Sequence, residues 1–121
     1  MCQAALVDVP LTRHRDRILQ ATIDATVDQI ARRFQPDQII LFGSYAAGTE
    51  QPLSDLDLLV IMDTPISESL QALQIAQALQ VHFGLDLVVR TPTNLARRLA
   101  LGDWFLHEVV TSGKVVYERT H

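Results

Sequence analysis

The chain has 121 residues, 48% of them hydrophobic and 20% charged, and its formal net charge is −4. This length allows one packed domain and is too short for two, so we expect a single domain over residues 1–121. Stable binding to duplex nucleic acid depends on many phosphate contacts from basic side chains, and an acidic chain is unsuited to it. A nucleotide remains compatible, because a small local site can hold one.

The sequence also indicates a cellular compartment. Cys2 is the only cysteine and cannot form an internal disulfide, which fits a reducing environment. The first ten residues lack the basic start and apolar run of a signal peptide, and no apolar run approaches the ~20 residues that span a bilayer. We therefore expect a soluble cytoplasmic protein that does not bind a membrane.

The first half of the chain predicts a long helix, two strands and a short turn. Apolar residues at steps of three and four predict a helix over residues 12–34, capped by Thr12. Residues 38–42 and 55–62 predict strands, and a helical turn between them ends at Gly48. The inner face of the long helix is the apolar stripe Leu19, Ile23, Val27, Ile30 and Phe34.

The second half continues the alternation of helices and strands. Ser67 predicts the cap of a helix that runs to about Phe83, where Gly84 stops it, with Leu70, Leu73, Ala76 and Phe83 on its inner face. Further elements follow: a strand at 85–90, a helix from Pro92 to about Leu101, a helix at 104–111 and a strand at 115–118. This order predicts an α/β or α+β fold with a small mixed sheet flanked by helices.

Gly43 and Ser44 directly follow the first predicted strand. Glycine permits a close approach of a ligand to the backbone, and the free amides of the following turn favour an anion. The Ser44 hydroxyl adds a donor. The pair is suited to phosphate, although taken alone it is weak evidence, because a glycine-serine turn after a strand is ordinary.

Asp55 and Asp57 lie at the start of the second predicted strand. Residues two apart on a strand share a face, so both carboxylates point the same way while Leu56 and Leu58 point into the core. Two like charges at the edge of a core need a positive partner, and oxygen ligands favour magnesium. Two solvated aspartates are the alternative.

Asp86 begins the third predicted strand. If this strand neighbours the second, Asp86 reaches the same cleft, and three carboxylates could hold two magnesium ions. An aspartate at the end of a loop is the alternative. Arg90 shares its strand face and is a weaker candidate for a phosphate contact, whereas Trp104 and Phe105 are expected in the core.

These residues resemble a known signature. Gly43-Ser44, ten intervening residues and Asp55-x-Asp57 match the G-S-x10-D-x-D pattern of the DNA polymerase β-like nucleotidyltransferase superfamily. Chance would produce four such matches in roughly one chain per thousand of this length. The whole chain resembles the minimal nucleotidyltransferases, or MNT proteins, including the run LDLVVRTPTNLARRLA and the closing VVYER.

The resemblance implies a site and a partner. In the family, the positions of Asp55, Asp57 and Asp86 bind magnesium and catalyse transfer, and those of Gly43 and Ser44 hold the nucleotide's phosphates. Many relatives carry a basic residue where this chain has Ala47, which puts one phosphate contact in doubt. MNT proteins often form hetero-oligomers with a helical ribonuclease toxin of the HEPN type, so the resemblance implies an antitoxin.

The expected reaction is the Mg²⁺-dependent transfer of AMP from ATP to a tyrosine of that toxin, which neutralises it. A chain of this size has no room for a domain that holds a large acceptor, so the acceptor brings its own binding surface. Transfer to a small molecule and a non-catalytic antitoxin that masks its toxin are the two alternatives. The sequence leaves the base preference, the number of nucleotides added and the stoichiometry open.

Overall fold

The computed structural model describes residues 17–120, which form a four-stranded sheet with helices on both faces. The elements, in chain order, are α1 (Gln20–Phe34), β1 (Gln38–Phe42), α2 (Ser44–Ala47), β2 (Leu56–Ile61), α3 (Glu68–Leu79), β3 (Leu85–Arg90), α4 (Pro92–Ala100), α5 (Trp104–Ser112) and β4 (Lys114–Glu118). The expected cap Thr12 lies outside the described residues. None of the helices within residues 17–120 is long and apolar enough to cross a membrane.

The sheet is mixed, as the sequence predicts. Its strand order is β3-β2-β1-β4, with β2 and β3 parallel and β1 antiparallel to both of its neighbours. Helix α3 is the crossover that parallel pairing of β2 and β3 requires. The start of β2, the start of β3 and the end of β1 therefore meet at one end of the sheet.

The two faces of the sheet carry different cores. On one face, α1 and α3 cover Leu56, Leu58 and Val60 of β2 in the larger buried cluster. On the other face, Leu59 and Ile61 join a smaller cluster with Leu106 and Val109 of α5. The alternation of β2 thus separates its side chains between two cores, as expected for a strand that is covered on both sides.

Helix α1 begins later than its apolar periodicity predicts. Residue Leu19 precedes the helix in an extended conformation and is exposed, so its assignment to the inner stripe is wrong. The preceding residue, Ile18, is buried instead, and its amide donates to the Tyr45 hydroxyl at 2.8 Å. This bond holds the chain extended up to Gln20. Further along the stripe, Ile23, Val27 and Ile30 are buried, as predicted.

Helix α3 buries a different face from the one predicted. Leu70 and Leu73 are exposed, whereas Gln71, Ile75 and Leu79 form the buried stripe. Gln71 tolerates burial because its Oε1 accepts from the Thr64 hydroxyl at 2.8 Å. The helix also ends at Leu79, before Phe83 and Gly84, because Gln80 takes the left-handed conformation with φ 51°. The buried face of α3 therefore differs from the face that hydrophobicity predicts, because one of its buried positions is polar.

The predicted cap at Ser67 is confirmed, and Thr91 caps the following helix in the same way. The Ser67 hydroxyl accepts from the Leu70 amide and the Thr91 hydroxyl accepts from the Asn94 amide, each at 3.1 Å. Glu68 ties the two helices together, since its carboxylate accepts from the Thr91 amide at 2.8 Å and from the Asn94 side chain. Helix α4 therefore leaves β3 in a fixed direction.

Candidate active site

Asp57 and Asp86 lie side by side at the start of two parallel strands. They are in-register partners of β2 and β3, and Phe42 is the in-register partner of Asp57 on the β1 side. Paired residues on adjacent strands project to the same face. The prediction that the second and third strands are neighbours, and that Asp86 reaches the cleft of Asp57, is confirmed.

The environment of Asp57 favours its neutral form. Partial burial, then the negative charges of Asp86 and Asp55, and a hydrogen bond with Asp86, raise its pKa from 3.8 to about 6. Burial and like charges both disfavour a second anion in such a place. A cation between these carboxylates would offset the repulsion from Asp86 and Asp55, so the electrostatics fit a cation-binding site.

Asp55 stands apart from this pair. It precedes β2 by one residue and is exposed, and its carboxylate lies against Gly84, where a Cβ atom would overlap it. Within residues 17–120, no three acidic, histidine or cysteine side chains lie close enough together to hold one metal ion. The structure therefore brings Asp57 and Asp86 together and leaves Asp55 within electrostatic range of them.

Gly43 is required both by its backbone and by its neighbour. It precedes α2 with φ 76°, a conformation that side chains rarely adopt, and a Cβ atom at this position would overlap the Asp57 carboxylate. The Gly43 carbonyl accepts from the amides of Ala46 and Ala47, both at 3.1 Å. The amides of Ser44 and Tyr45, at the start of the turn, have no acceptor within α2. The turn thus presents its first amides next to the acidic pair.

Arg90 does not join this site. It lies at the opposite end of β3, roughly 13 Å along the strand from Asp86. Its guanidinium donates to the Val89 carbonyl at 2.8 Å and lies 4.0 Å from the Glu68 carboxylate. The hypothesis of a phosphate contact from Arg90 is therefore wrong. Arg90 shares a strand face with Asp86, but it lies too far along the strand to reach the same site.

A groove between α2 and α5 adjoins the glycine turn. Its volume is about 300 Å³, and its walls include Phe42, Gly43, Ala46, Ala47, Trp104 and Phe105. Trp104 is 75% exposed and Phe105 is also exposed, so the expectation that both lie in the core is wrong. Phe105 packs edge-on against Phe42, with ring centroids 5.5 Å apart. Sequence reasoning missed this groove because it forms between elements that lie some sixty residues apart.

Asp103, at the N-terminal end of α5, fixes the direction of the Trp104 and Phe105 side chains. The Asp103 carboxylate caps α5 by accepting from the Leu106 amide at 3.0 Å, and it pairs with Arg98 at 2.7 Å. The Leu106 amide, followed by the Arg98 side chain, holds the pKa of Asp103 below its ordinary value. Asp103 is therefore ionised at neutral pH, and Trp104 begins a capped helix.

A larger cavity, about 430 Å³, lies at the far end of the sheet from the acidic residues. Gln38, Ile61 and Glu118 line it, and the register places them at the opposite end of β1 from Phe42. Its rim is closed by an ion pair between Arg119 and Asp37 at 2.6 Å. Size alone would favour this cavity, but the acidic pair and the glycine turn lie elsewhere.

Comparison with protein families and solved structures gives a consistent result. The family described as "Polymerase beta, Nucleotidyltransferase" matches residues 25–121. A crystal structure from Sulfolobus solfataricus, of a protein assigned as a nucleotidyltransferase, has a TM-score of 0.56 and 17% identity, covering 80% of this chain and 78% of that chain. A crystal structure of a toxin–antitoxin with AMP-PNP has a TM-score of 0.53 and 26% identity, covering 80% of this chain and 74% of that chain. Comparison with curated protein sequences gives no match.

Proposed function

The chain belongs to the polymerase β nucleotidyltransferase family, and we propose that it transfers AMP from ATP to a tyrosine of a partner toxin and so acts as an antitoxin. The observation that carries the proposal is the acidic pair Asp57 and Asp86, held against the glycine turn at one end of the sheet. Acidic side chains beside free backbone amides are suited to a metal-bound triphosphate.

The proposed cofactor is magnesium, held between Asp57 and Asp86, with Asp55 turning from Gly84 to join them as a ligand when the cation binds. The residues fit it, since all donors are carboxylate oxygens and the pKa of Asp57 is raised by its burial and then by the negative charges of Asp86 and Asp55. Bound magnesium would neutralise charge that develops on the triphosphate during transfer. A set of three carboxylates favours two ions, and their binding would compete with protonation of the pair.

The chemistry follows from the positions of the side chains. The amides of Ser44 and Tyr45, with the Ser44 hydroxyl, bind the outer phosphates of ATP beside Gly43. Asp86 accepts the proton of the tyrosine hydroxyl, and the phenolic oxygen forms a bond to the α-phosphorus. The bond from that phosphorus to the bridging oxygen breaks, and pyrophosphate leaves with its electron pair. The protein contributes position and charge without a covalent intermediate.

The proposed toxin partner rests on one structural neighbour. The structure of a toxin–antitoxin with AMP-PNP is 26% identical to this chain and covers 80% of this chain and 74% of that chain. The proposed partner is a HEPN-type ribonuclease that forms a hetero-oligomer with this chain and presents its own tyrosine to the site.

Labelled ATP tests the proposal directly. The protein is incubated with magnesium, the product of the gene adjacent to its own and ATP labelled at the α-phosphate. We expect label on a tyrosine of the partner, none when the label is at the γ-phosphate, and loss of the partner's ribonuclease activity. Mass spectrometry of the partner locates the modified residue and counts the nucleotides added.

The controls separate the proposal from its alternatives. Asp57→Asn removes one carboxylate and should abolish labelling, whereas Asp63→Asn changes an exposed carboxylate just beyond β2 and should leave it intact. Label on an added small molecule, with none on the partner, would assign a different acceptor. A tight complex that silences the toxin with no label anywhere would show that masking is enough.

A further inference from the structure

The groove between α2 and α5 continues directly from the candidate active site. Gly43 is part of its lining and also lies against the Asp57 carboxylate. Phe42, another lining residue, is the in-register partner of Asp57. A molecule that reaches Asp57 and Gly43 therefore meets the groove on the β1 side.

The sheet order gives this groove a direction. Asp57 lies on β2, between Phe42 of β1 on one side and Asp86 of β3 on the other. If the triphosphate lies at Gly43 and the acceptor hydroxyl at Asp86, the acceptor occupies the β3 side. The ribose and base of the nucleotide then lie on the β1 side, where the groove begins.

The walls of the groove suit a flat ring. Trp104 is 75% exposed, and the groove places it across from the small side chains of Ala46 and Ala47. The volume of about 300 Å³ is at the small end of the range for ligand pockets. An exposed aromatic side chain facing two alanines leaves space for a planar group to stack.

Two polar side chains line the groove farther along α5. The Ser112 hydroxyl donates to Glu108 Oε2 at 3.1 Å, and both residues line the groove. The hydrogen bonds of the described residues include none to Glu108 Oε1. A carboxylate in this position accepts a hydrogen bond from an amino group and repels a carbonyl oxygen.

We propose that this groove binds the base of the nucleotide, with the ring stacked on Trp104 and its exocyclic amino group donating to Glu108. The proposal rests on the proposed function, because the triphosphate at Gly43 sets the direction of the nucleotide. It assigns a preference for adenine over uracil, which carries a carbonyl oxygen at the corresponding position. An apolar side chain of a partner protein fits less well, since it has no donor for the exposed Glu108 carboxylate at the edge of the groove.

The single tryptophan of the chain reports on the groove without a label. Titration with Mg-ATP should quench Trp104 fluorescence, whereas titration with magnesium tripolyphosphate, which lacks a base, should leave it unchanged. By calorimetry, Trp104→Ala should bind Mg-ATP about 10-fold more weakly because the stacking contact is lost. Trp104→Phe should recover most of the affinity, and tripolyphosphate should bind all three proteins equally.

Glu108→Gln tests the preference for the base. A glutamine amide can turn to donate to a carbonyl oxygen, so this variant should lower the ratio of ATP to UTP affinity about 10-fold. Leu101→Ala is the control. Leu101 is apolar, 70% exposed and close to Trp104 in sequence, but it does not line the groove. The control variant should bind both nucleotides as the wild type does.

The outcomes keep this inference separate from the proposed function. If Trp104→Ala and Glu108→Gln both keep their affinity for Mg-ATP and still label the partner, the base does not bind in the groove. The proposed transferase activity would then be unaffected. If Trp104→Ala loses partner binding but keeps its ATP affinity, the base-binding proposal would also be wrong. The groove would then be a docking surface for the partner. Quenching of the wild type by ATP and an ATP affinity that Trp104→Phe preserves, with no labelling of any partner, would support the base-binding groove and reject the proposed acceptor.

Discussion

The two faces of the sheet differ in role: one carries the larger buried core, and the other carries the candidate active site. The face under α1 and α3 holds the larger core, and its strand residues are almost fully buried. The face under α4 and α5 holds the smaller core, and of the described residues on α4 none is fully buried. The acidic pair lies at the open end of this second face. Charged groups keep part of their hydration there, whereas the first face offers no such place.

Strand β2 shows how the division is encoded. Leu56 and Leu58 face the larger core, and between them Asp57 faces the opening of the smaller one. A displacement of the strand by one residue would bury the carboxylate and expose the leucines, so the register is strongly determined. The helices of the first face can therefore hold the carboxylate in position without touching it.

The largest effect should come from Asp57→Asn. Removing this carboxylate should lower the rate of nucleotidyl transfer by roughly 10²-fold or more, in line with the loss of one preorganised electrostatic contact. The melting temperature of the metal-free protein should not fall, because the substitution relieves repulsion from Asp86 and Asp55. Rate and melting temperature are measured on the same preparation, and a large loss of both would contradict the separation of the two faces.

Gly43→Ala should have the next largest effect. The added Cβ atom displaces the Asp57 carboxylate, and misplacement of a catalytic group by about 1 Å costs roughly 10²-fold in rate. Gly48→Ala is a matched control at the other end of α2, since Gly48 has the same φ of 76° but no atom within 4 Å of an added Cβ. Both variants should lose stability through backbone strain, of order 1–3 kcal/mol. Equal transfer rates in the two variants would show that the contact with Asp57 is unimportant.

Paired core substitutions compare the faces directly. Ile75→Ala removes a fully buried side chain from the α3 face and should cost about 2–5 kcal/mol of unfolding free energy. Leu99→Ala, on the half-buried side of α4, should cost about 1 kcal/mol. Denaturant unfolding measures both. Similar losses would mean that the smaller core contributes as much to stability as the larger one.

Sequence reasoning located the strands and the acidic residues because both depend on local pattern. Alternation in β2 and the spacing of Asp55, Asp57 and Gly43 are properties of short segments. The inner face of α3 was misassigned because Gln71 is buried through a bond to Thr64, a tertiary effect that hydrophobicity does not encode. The groove beside Trp104 was missed for a related reason, since it depends on how α5 packs against α2.

The smallest effect concerns pH and the acidic pair itself. Asp57 has a pKa raised from 3.8 to about 6, so between these values the folded state binds more protons than the unfolded state. Linkage then requires that stability due to this group is fully present below pH 3.8 and is lost as pH rises through about 6. This is opposite to the usual behaviour of a salt-bridged aspartate. In the presence of a chelator, the melting temperature of Asp57→Asn minus that of the wild type should therefore grow from about pH 4 to about pH 7. Asp63→Asn should show no such trend, and a difference independent of pH would mean that neither burial nor the charges of Asp86 and Asp55 raise the pKa of Asp57 in the folded protein.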